Sequence, residues 1–179
     1  MRGLGLTPVG KRDAGAQLRP TSDRVREAIF NLLLNGNYGD PVQGAEVLDL
    51  FAGTGALGLE ALSRGAQHAT FVENGRVAWR LLVANIKKAR AEGKTRVISR
   101  DATRLGAAEC LATLVFLDPP YGRDLGAAAL SGLRKGGWLA PGALVVWEEA
   151  AEQVAPEGFA LLDGRCYGET HITILEHSP

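Results

Sequence analysis

The stretch Ala45-Glu-Val-Leu-Asp-Leu-Phe-Ala-Gly-Thr-Gly-Ala-Leu-Gly-Leu-Glu60 decides the predicted fold. It opens with an apolar run of the kind that forms a buried strand. Gly53, Gly55 and Gly58 follow and lead into a segment whose apolar residues recur at helical spacing. A strand, a glycine-rich loop and a helix, in that order, form the first half of a nucleotide-binding βαβ unit. Glycine lets the backbone approach a ligand closely, and the helix N-terminus offers N–H groups to an anion.

Two acids near this loop indicate which ligand it binds. The glycine spacing alone also fits the G-x-G-x-x-G fingerprint, so an NAD(P)-binding oxidoreductase is an alternative. Asp49 lies just before the loop, where it would attract a cationic amino-acid group and repel a pyrophosphate. Glu73 ends the next apolar run, and an acid there can bind the hydroxyls of an adenosine ribose. Together the two acids favour S-adenosylmethionine (SAM), which carries both a ribose and a free amino acid.

The rest of the chain alternates between strand-like and helix-like segments. This order predicts an α/β fold with a mostly parallel, doubly wound, seven-stranded sheet. The last two strands have no helix between them, so we expect a terminal antiparallel hairpin, with 163–169 as the connecting loop. The predicted strands are 47–50, 68–72, 96–99, 113–118, 142–147, 159–162 and 170–175, and helices are predicted from 23, after 55, over 75–91 and over 125–135.

Acidic residues close four of the predicted strands. They are Asp49, Glu73, Asp101 and Asp118. In a doubly wound sheet, ligands bind outside the carboxyl ends of the strands. We therefore expect the four acids to line one crevice.

The segment Leu117-Asp-Pro-Pro-Tyr-Gly122 is the most specific chemical signal in the chain. The two prolines fix the backbone and remove two N–H donors, which leaves the Pro119 carbonyl as a rigid acceptor. Asp118 and that carbonyl could accept the two N–H bonds of a planar amine, while Tyr121 stacks on its ring. Two aligned acceptors stabilise the positive charge that develops as an exocyclic nucleobase amine attacks a methyl group. The motif therefore predicts amine methylation of a nucleobase.

Composition sets the broad class of the protein. A hydrophobic content of 46% and a charged content of 22% are ordinary for a globular protein of 179 residues. No apolar run approaches the roughly 20 residues that a membrane span needs. Two distant cysteines, Cys110 and Cys166, form no metal-binding spacing, so we expect no metal site and a reducing, cytoplasmic location.

Charge is unevenly distributed along the chain, although the net charge is zero. Residues 1–100 carry 15 Lys and Arg against 9 Asp and Glu, and residues 101–179 carry 5 against 11. A basic half could face a polyanion such as nucleic acid. We expect residues 1–40 to form a basic arm and a helix packed on a domain of residues 41–179, as one structural unit.

Four arginines of this N-terminal region could pair with phosphates: Arg2, Arg19, Arg24 and Arg26. Arg24 and Arg26 lie about 200° apart on a helix, so they cannot both face one groove. One of them is therefore expected to form a structural ion pair, for example Arg24 with Glu27.

Several motifs, in order, resemble one known family. Asp-Pro-Pro-Tyr after a glycine-loop Rossmann-like unit resembles the amino-methyltransferases of DNA and RNA. Together with Arg19-Pro-Thr-Ser-Asp-Arg-Val-Arg-Glu-Ala-Ile-Phe30, Gly136-Gly-Trp-Leu139 and Tyr167-Gly-Glu-Thr170, the chain is similar to the bacterial RsmD family from about Arg2 to Glu176. These are class I SAM-dependent enzymes that methylate guanine N2 in 16S rRNA.

The resemblance implies a function and a set of site residues. It implies an rRNA methyltransferase that uses SAM and acts on small-subunit rRNA. We also expect a cytoplasmic monomer whose acceptor is a 30S particle or assembly intermediate. The segment from Arg19 to Arg26 would lie near SAM and the RNA. The implied catalytic residues are Asp118, Pro119, Pro120 and Tyr121. The implied SAM contacts are Asp49, Phe51, Ala52, Gly53, Thr54, Gly55, Glu73, Asn74, Asp101, Ala102 and Asp118.

Three alternatives remain open from the sequence. The same chemistry could act on adenine N6 or cytosine N4 of DNA, although such enzymes usually add a recognition domain. An NAD(P)-binding oxidoreductase would give the Asp118–Tyr121 motif no role. A non-catalytic SAM-binding or ribosome-assembly protein would not need that motif intact.

Overall fold

The computed structural model describes residues 22–178. The sequence-based expectations for Arg2, Arg19 and the rest of the arm up to residue 21 lie outside the described residues. The described part contains four α-helices, one short 3-10 helix and seven strands. The strands are β1 (Glu46–Leu50), β2 (His68–Val72), β3 (Thr95–Ile98), β4 (Ala112–Leu117), β5 (Leu139–Glu149), β6 (Phe159–Tyr167) and β7 (Thr170–His177). The helices are α1 (Asp23–Asn35), α2 (Ala56–Ser63), α3 (Arg76–Ala89) and α4 (Leu125–Gly136), and the 3-10 helix is Glu92–Lys94.

All seven strands form one sheet in the order β3-β2-β1-β4-β5-β7-β6. Strands β1 to β5 are parallel to one another, and β7 runs antiparallel to both β5 and β6. This confirms the predicted doubly wound sheet with a terminal antiparallel hairpin. The strand order reverses between β1 and β4, and the crevice outside such a reversal is where ligands bind in this architecture.

The sheet separates two hydrophobic cores. Successive strand residues point to opposite faces, so Val47 and Phe71 join the core beneath α1, α2 and α3. Their neighbours Leu48 and Val72 join the core beneath α4. Because both faces are covered, the central strands are mostly apolar and bury residues on both sides.

Helix α1 packs on the sheet through one apolar face. Ser22 caps it, with the side-chain oxygen accepting a hydrogen bond from the backbone N–H of Val25 at 3.2 Å. Ile29 and Phe30 are fully buried, and the Phe30 ring lies 5.6 Å from the ring of Phe116 in β4. The predicted helix therefore shares a core with the sheet, while the division of the chain at residue 40 stays a prediction.

The predicted loop over 163–169 is wrong. Strand β6 continues to Tyr167, and the turn consists of Gly168 and Glu169, with Gly168 at φ +67°. Composition suggested a loop because Asp163 and Gly164 disfavour strands. Pairing with β7 overrides this local preference, helped by a register shift between Leu161 and Asp163.

Strand β5 is also longer than predicted, since it begins at Leu139 rather than at residue 142. Pro141 and Gly142 hid this extension in the sequence. Within residues 22–178, no helix is long and apolar enough to cross a membrane.

Candidate active site

The glycine loop lies at the carboxyl end of β1 and adopts a conformation that requires glycine. Gly53 and Gly55 have φ of +55° and +79°. Gly58 has a different reason to be glycine, because a Cβ there would lie 2.4 Å from the buried ring of Phe71. The absence of these side chains lets α2 begin directly against the sheet, with its first N–H groups at the loop.

Asp49 organises the start of α2 from within β1. It is 3% exposed, and its Oδ2 accepts a hydrogen bond from the Gly58 N–H at 2.9 Å. Burial raises the pKa of the Asp49 carboxyl to about 8, the charge of Glu73 adds to the shift, and the Gly58 bond opposes it. A cationic ligand group beside Asp49 would therefore stabilise its charged form.

Glu73 connects the glycine loop to the start of α3. Its Oε2 accepts from the Gly53 N–H at 2.8 Å, and its Oε1 accepts from the Gly75 N–H at 2.6 Å. Two backbone donors hold this carboxylate in one orientation. Its oxygens retain acceptor capacity for further hydrogen bonds from hydroxyl groups.

A residue that the sequence analysis missed supports the loop from below. Asn85 of α3 is fully buried, and its Nδ2 donates to the Thr54 carbonyl oxygen at 3.0 Å. The signal in the sequence was a polar residue within the apolar stripe of α3. Buried amides are normally hydrogen-bonded, so such a residue indicates a structural bond.

A cavity of about 860 Å³ joins the glycine loop to the Asp-Pro-Pro-Tyr motif. Its size lies within the range of about 300–1,000 Å³ that is common for small-molecule sites. Eleven of the residues predicted for the cofactor or the target base line it: Asp49, Phe51, Ala52, Gly53, Thr54, Glu73, Asn74, Asp118, Pro119, Pro120 and Tyr121.

Three predicted SAM contacts lie outside the cavity lining. Gly55 is buried beneath the loop, where a Cβ would lie 2.4 Å from Leu82. Asp101 is exposed, and Thr103 donates to its Oδ1 through both its backbone N–H at 2.9 Å and its hydroxyl at 2.7 Å. These bonds lower the pKa of Asp101. Ala102 is buried in the core beneath α4.

Tyr121 is held in a network of polar side chains from three elements. Its hydroxyl donates to Oε1 of Glu148, near the end of β5, at 3.2 Å. Thr170, at the start of β7, also bonds to the Tyr121 hydroxyl. Burial, followed by the nearby charges of Glu148 and Asp118, raises the pKa of Tyr121 to about 12, so its hydroxyl stays protonated at neutral pH.

The two arginines of α1 have different surroundings. Arg26 pairs with Asp23 at 2.8 Å, whereas Arg24 lines the cavity. One of the two therefore forms an ion pair, as expected from their angular separation. The partner assignment was wrong, since the pair is Asp23–Arg26 and no Arg24–Glu27 ion pair forms. Spacing alone could not choose between these two i, i+3 pairs.

The sequence analysis did not assign several residues that line the cavity. Glu148 comes from β5, and the hairpin contributes the segment 167–170. Arg123 follows the Asp-Pro-Pro-Tyr motif. Glu148 could have been found as an acid that ends an apolar strand, the same signal that singled out Asp118.

Comparison with known proteins identifies the family. A family model described as "Conserved hypothetical protein 95" matches residues 10–176. Ribosomal RNA small subunit methyltransferase D of Escherichia coli is 41% identical over 140 residues, which cover 78% of this chain and 68% of that protein. The protein of the same name from Haemophilus influenzae is 34% identical and covers 84% of this chain and 79% of its own length. This chain belongs to the RsmD family.

Two solved structures share the fold of this chain. The E. coli protein yhhF has a TM-score of 0.76 at 36% identity, with 90% of this chain and 88% of that chain covered. Magnesium protoporphyrin IX methyltransferase from Synechocystis, solved with bound SAM, has a TM-score of 0.64 at 16% identity. The match covers 87% of this chain and 79% of that chain. The second likeness shows that the fold is that of a SAM-dependent methyltransferase.

Proposed function

We propose that this RsmD-family protein transfers a methyl group from SAM to the exocyclic N2 amine of a guanine in small-subunit rRNA. One observation carries the proposal: a single cavity is lined by both the glycine loop and the Asp-Pro-Pro-Tyr motif. A cofactor and a target base could therefore meet within it. The names of the E. coli and H. influenzae relatives support small-subunit rRNA as the substrate class.

The residues around the glycine loop fit the chemical groups of SAM. The carboxyl of Asp49 suits the cationic amino-acid end, since a cation would offset the cost of charging a buried acid. The carboxylate of Glu73 is fixed by Gly53 and Gly75 and would accept from the ribose hydroxyls. When bound, SAM supplies an electrophilic methyl group on a sulfonium sulfur. Asp101 and Ala102 stay predicted contacts for the adenine side.

The Asp118–Tyr121 segment would hold the target base. The Asp118 carboxylate and the Pro119 carbonyl accept the two N2–H bonds, while the Tyr121 ring stacks on the purine. This alignment turns the nitrogen lone pair toward the methyl group. Transfer of the methyl group that bound SAM would supply, from its sulfonium sulfur to N2, would be completed by the loss of one N2 proton to water. The guanine must be unstacked to enter this site.

The acceptor is proposed to be a 30S particle or an assembly intermediate, with the protein acting as a monomer. Arg24 and Arg123 lie at the cavity and could pair with phosphates beside the target nucleotide. Arg2 and Arg19 are the other predicted RNA contacts, whereas Arg26, which was also predicted, pairs with Asp23. Because the cavity carries only a few cations, a folded particle would supply much of the binding surface.

Methyl transfer from labelled SAM to unmodified small ribosomal subunits, followed by nucleoside analysis, tests the proposal. We expect N2-methylguanosine at one position. Detection of N6-methyladenine or N4-methylcytosine instead would support amine methylation but show that the target base is not guanine. A protein that binds SAM but transfers no methyl group to subunits or DNA would contradict the enzymatic proposal.

Asp118→Ala is the matched variant for this experiment. We expect it to fold and to lose methyl transfer, because one of the two acceptors for the amine is removed. Circular dichroism and SAM titration check the fold and the cofactor site. Unchanged turnover would overturn the role of Asp118.

A further inference from the structure

Glu148 is a buried acid beside the target-base part of the cavity. It is 5% exposed, lines the cavity, and accepts the hydroxyl of Tyr121 at 3.2 Å. Neither the cofactor motif nor the Asp-Pro-Pro-Tyr motif includes it. A buried carboxylate is costly to keep, so its position in the wall of a binding cavity calls for a function.

The sheet register places Glu148 next to Asp118. Leu117, the last residue of β4, pairs with Trp147 of β5 in parallel register. Asp118 and Glu148 are therefore the next residues on two neighbouring strands, whose backbones lie about 5 Å apart. The charges of both acids act on the Tyr121 hydroxyl. The Tyr121 ring, on which the target base is proposed to stack, thus has two carboxylates beside it.

Guanine needs more acceptors than the Asp-Pro-Pro-Tyr motif supplies. The base presents two N2–H donors and, beside one of them on the Watson–Crick edge, an N1–H donor. Asp118 and the Pro119 carbonyl account for the two N2–H bonds in the proposed function. Each oxygen of an ionised carboxylate has about two acceptor positions, so Oε1 of Glu148, which accepts from Tyr121, can also accept an N–H of the base, whereas Oε2 is buried.

We infer that Glu148 selects guanine by accepting the N1–H of the target base. This inference rests on the proposed guanine-N2 activity and adds the residue that determines the base. Adenine and cytosine carry a lone pair at the corresponding ring nitrogen, which would face the carboxylate oxygens without a proton between them. Such a mismatch between buried polar groups lowers reactivity by roughly 10- to 100-fold.

The base 2,6-diaminopurine separates this role from a purely structural one. It keeps the N2 amine of guanine but has a lone pair at N1. Small subunits are reconstituted with either guanosine or 2,6-diaminopurine riboside at the mapped target position. The measured quantity is the ratio of kcat/KM for the two substrates, with the N2-methylated nucleosides identified by mass spectrometry.

For the wild type we expect a preference for guanosine of about 10- to 100-fold. The glutamine of Glu148→Gln could donate an amide N–H to the N1 lone pair of 2,6-diaminopurine. We therefore expect the kcat/KM ratio of guanosine over 2,6-diaminopurine to be at least tenfold lower than in the wild type. Tyr121→Phe is the matched control because it removes the bond to Glu148 and leaves the acid in place. We expect it to slow methylation of both substrates and to leave the ratio unchanged.

Several outcomes would overturn the inference. If Glu148→Gln leaves the kcat/KM ratio of the two substrates unchanged, however fast or slow the variant is, Glu148 only positions Tyr121. If Glu148→Gln fails to fold, Glu148→Asp provides the test, since a retracted carboxylate should lower kcat on guanosine and narrow the ratio. A wild type that makes N2-methylguanosine without preferring guanosine contradicts this inference alone. A wild type that makes none contradicts the proposed function as well.

Discussion

At the scale of single residues, two acids of one cavity are controlled by different surroundings. Glu73 accepts two backbone N–H bonds, from Gly53 and Gly75. Asp49 accepts one, from Gly58, and is buried next to the charge of Glu73, so its pKa rises to about 8. Ionising the buried Asp49 carboxyl therefore costs free energy, which a bound cation would offset. Glu73 is already held in position by its two backbone hydrogen bonds.

The raised pKa of Asp49 predicts a pH-dependent stability. The folded protein holds this proton to about pH 8, whereas the unfolded chain releases it near the ordinary value of 3.8. The contribution of Asp49 to the free energy of unfolding therefore falls as pH rises from about 4 to about 8 and is constant above that. Asp49→Asn removes this contribution, so its stability relative to the wild type should increase across this range.

Urea denaturation of the SAM-free proteins at pH 5, 6.5 and 8 measures this difference. Asparagine keeps an oxygen that can accept the Gly58 N–H, so the helix start should survive. Parallel pH curves for the two proteins would show that Asp49 is already charged at pH 5.

At the scale of elements, the glycine loop depends on how closely α2 approaches the sheet. Gly58 lies in the first turn of α2, over the fully buried ring of Phe71 and beside Oδ2 of Asp49. The ring is fully buried in the core beneath α1, α2 and α3. The loop geometry and the packing of α2 are therefore set by the same contact.

Gly58→Ala should weaken both stability and cofactor binding. The added methyl group would lie 2.4 Å from Phe71 and 3.0 Å from Asp49 Oδ2, so α2 must shift away from β2. We expect a loss of about 1–3 kcal/mol in the free energy of unfolding, with weaker SAM binding by calorimetry.

Gly93→Ala is the control, because nothing lies within 4 Å of a Cβ at that exposed position. We expect its effect to stay within about 0.5 kcal/mol. Equal losses in the two variants would argue against the packing explanation.

Helix α1 offers a second test at this scale, since Arg24 and Arg26 differ in surroundings but belong to one helix. Arg24→Ala should lower kcat/KM for methyl transfer to small subunits several-fold, because Arg24 lines the cavity. Arg26→Ala should mainly remove the ion pair to the exposed Asp23, at a cost of no more than about 1 kcal/mol.

Kinetics and denaturation of both α1 variants separate the two roles. A larger kinetic loss in Arg26→Ala than in Arg24→Ala would reverse the assignment.

At the scale of the whole molecule, the cavity joins segments far apart in the chain. Strands β1 and β5, the segments that follow β1, β2 and β4, helices α1, α2 and α3, and the β6–β7 hairpin all contribute lining residues. A ligand in this cavity therefore contacts both halves of the sheet. Binding should stabilise the entire fold, since little of the cavity would persist in an unfolded chain.

SAM should raise the melting temperature, and NADH should not. At 100 times its Kd, a ligand that binds only the folded state adds about 2.7 kcal/mol. For a chain of this length that corresponds to a shift of roughly 5–10 °C. Differential scanning fluorimetry with each ligand measures the shift. A shift with NADH and none with SAM would favour the dinucleotide interpretation of the glycine loop.

Sequence alone was sufficient for the fold class and the position of the crevice. The apolar runs, the glycine loop and the absence of a helix between the last two strands predicted the doubly wound sheet and its hairpin. These features are readable because each depends on neighbouring residues: buried strands are continuously apolar, and tight loops need glycine. The acids that follow the strands could be located for the same reason. Of the four that were expected to line the crevice, Asp49, Glu73 and Asp118 do so and Asp101 does not.

The tertiary structure decided the features that depend on distant residues. The extension of β6 follows from pairing with β7 against its own local composition. The Asp23–Arg26 pair, the bond from Asn85 to Thr54 and the contact between Glu148 and Tyr121 depend on side-chain positions that spacing does not determine. The sequence by itself thus determined the fold and the two motifs. Only the tertiary structure brought Glu148, 27 residues later in the chain, against Tyr121, because β5 pairs with β4 in parallel and so ends beside the segment that follows β4.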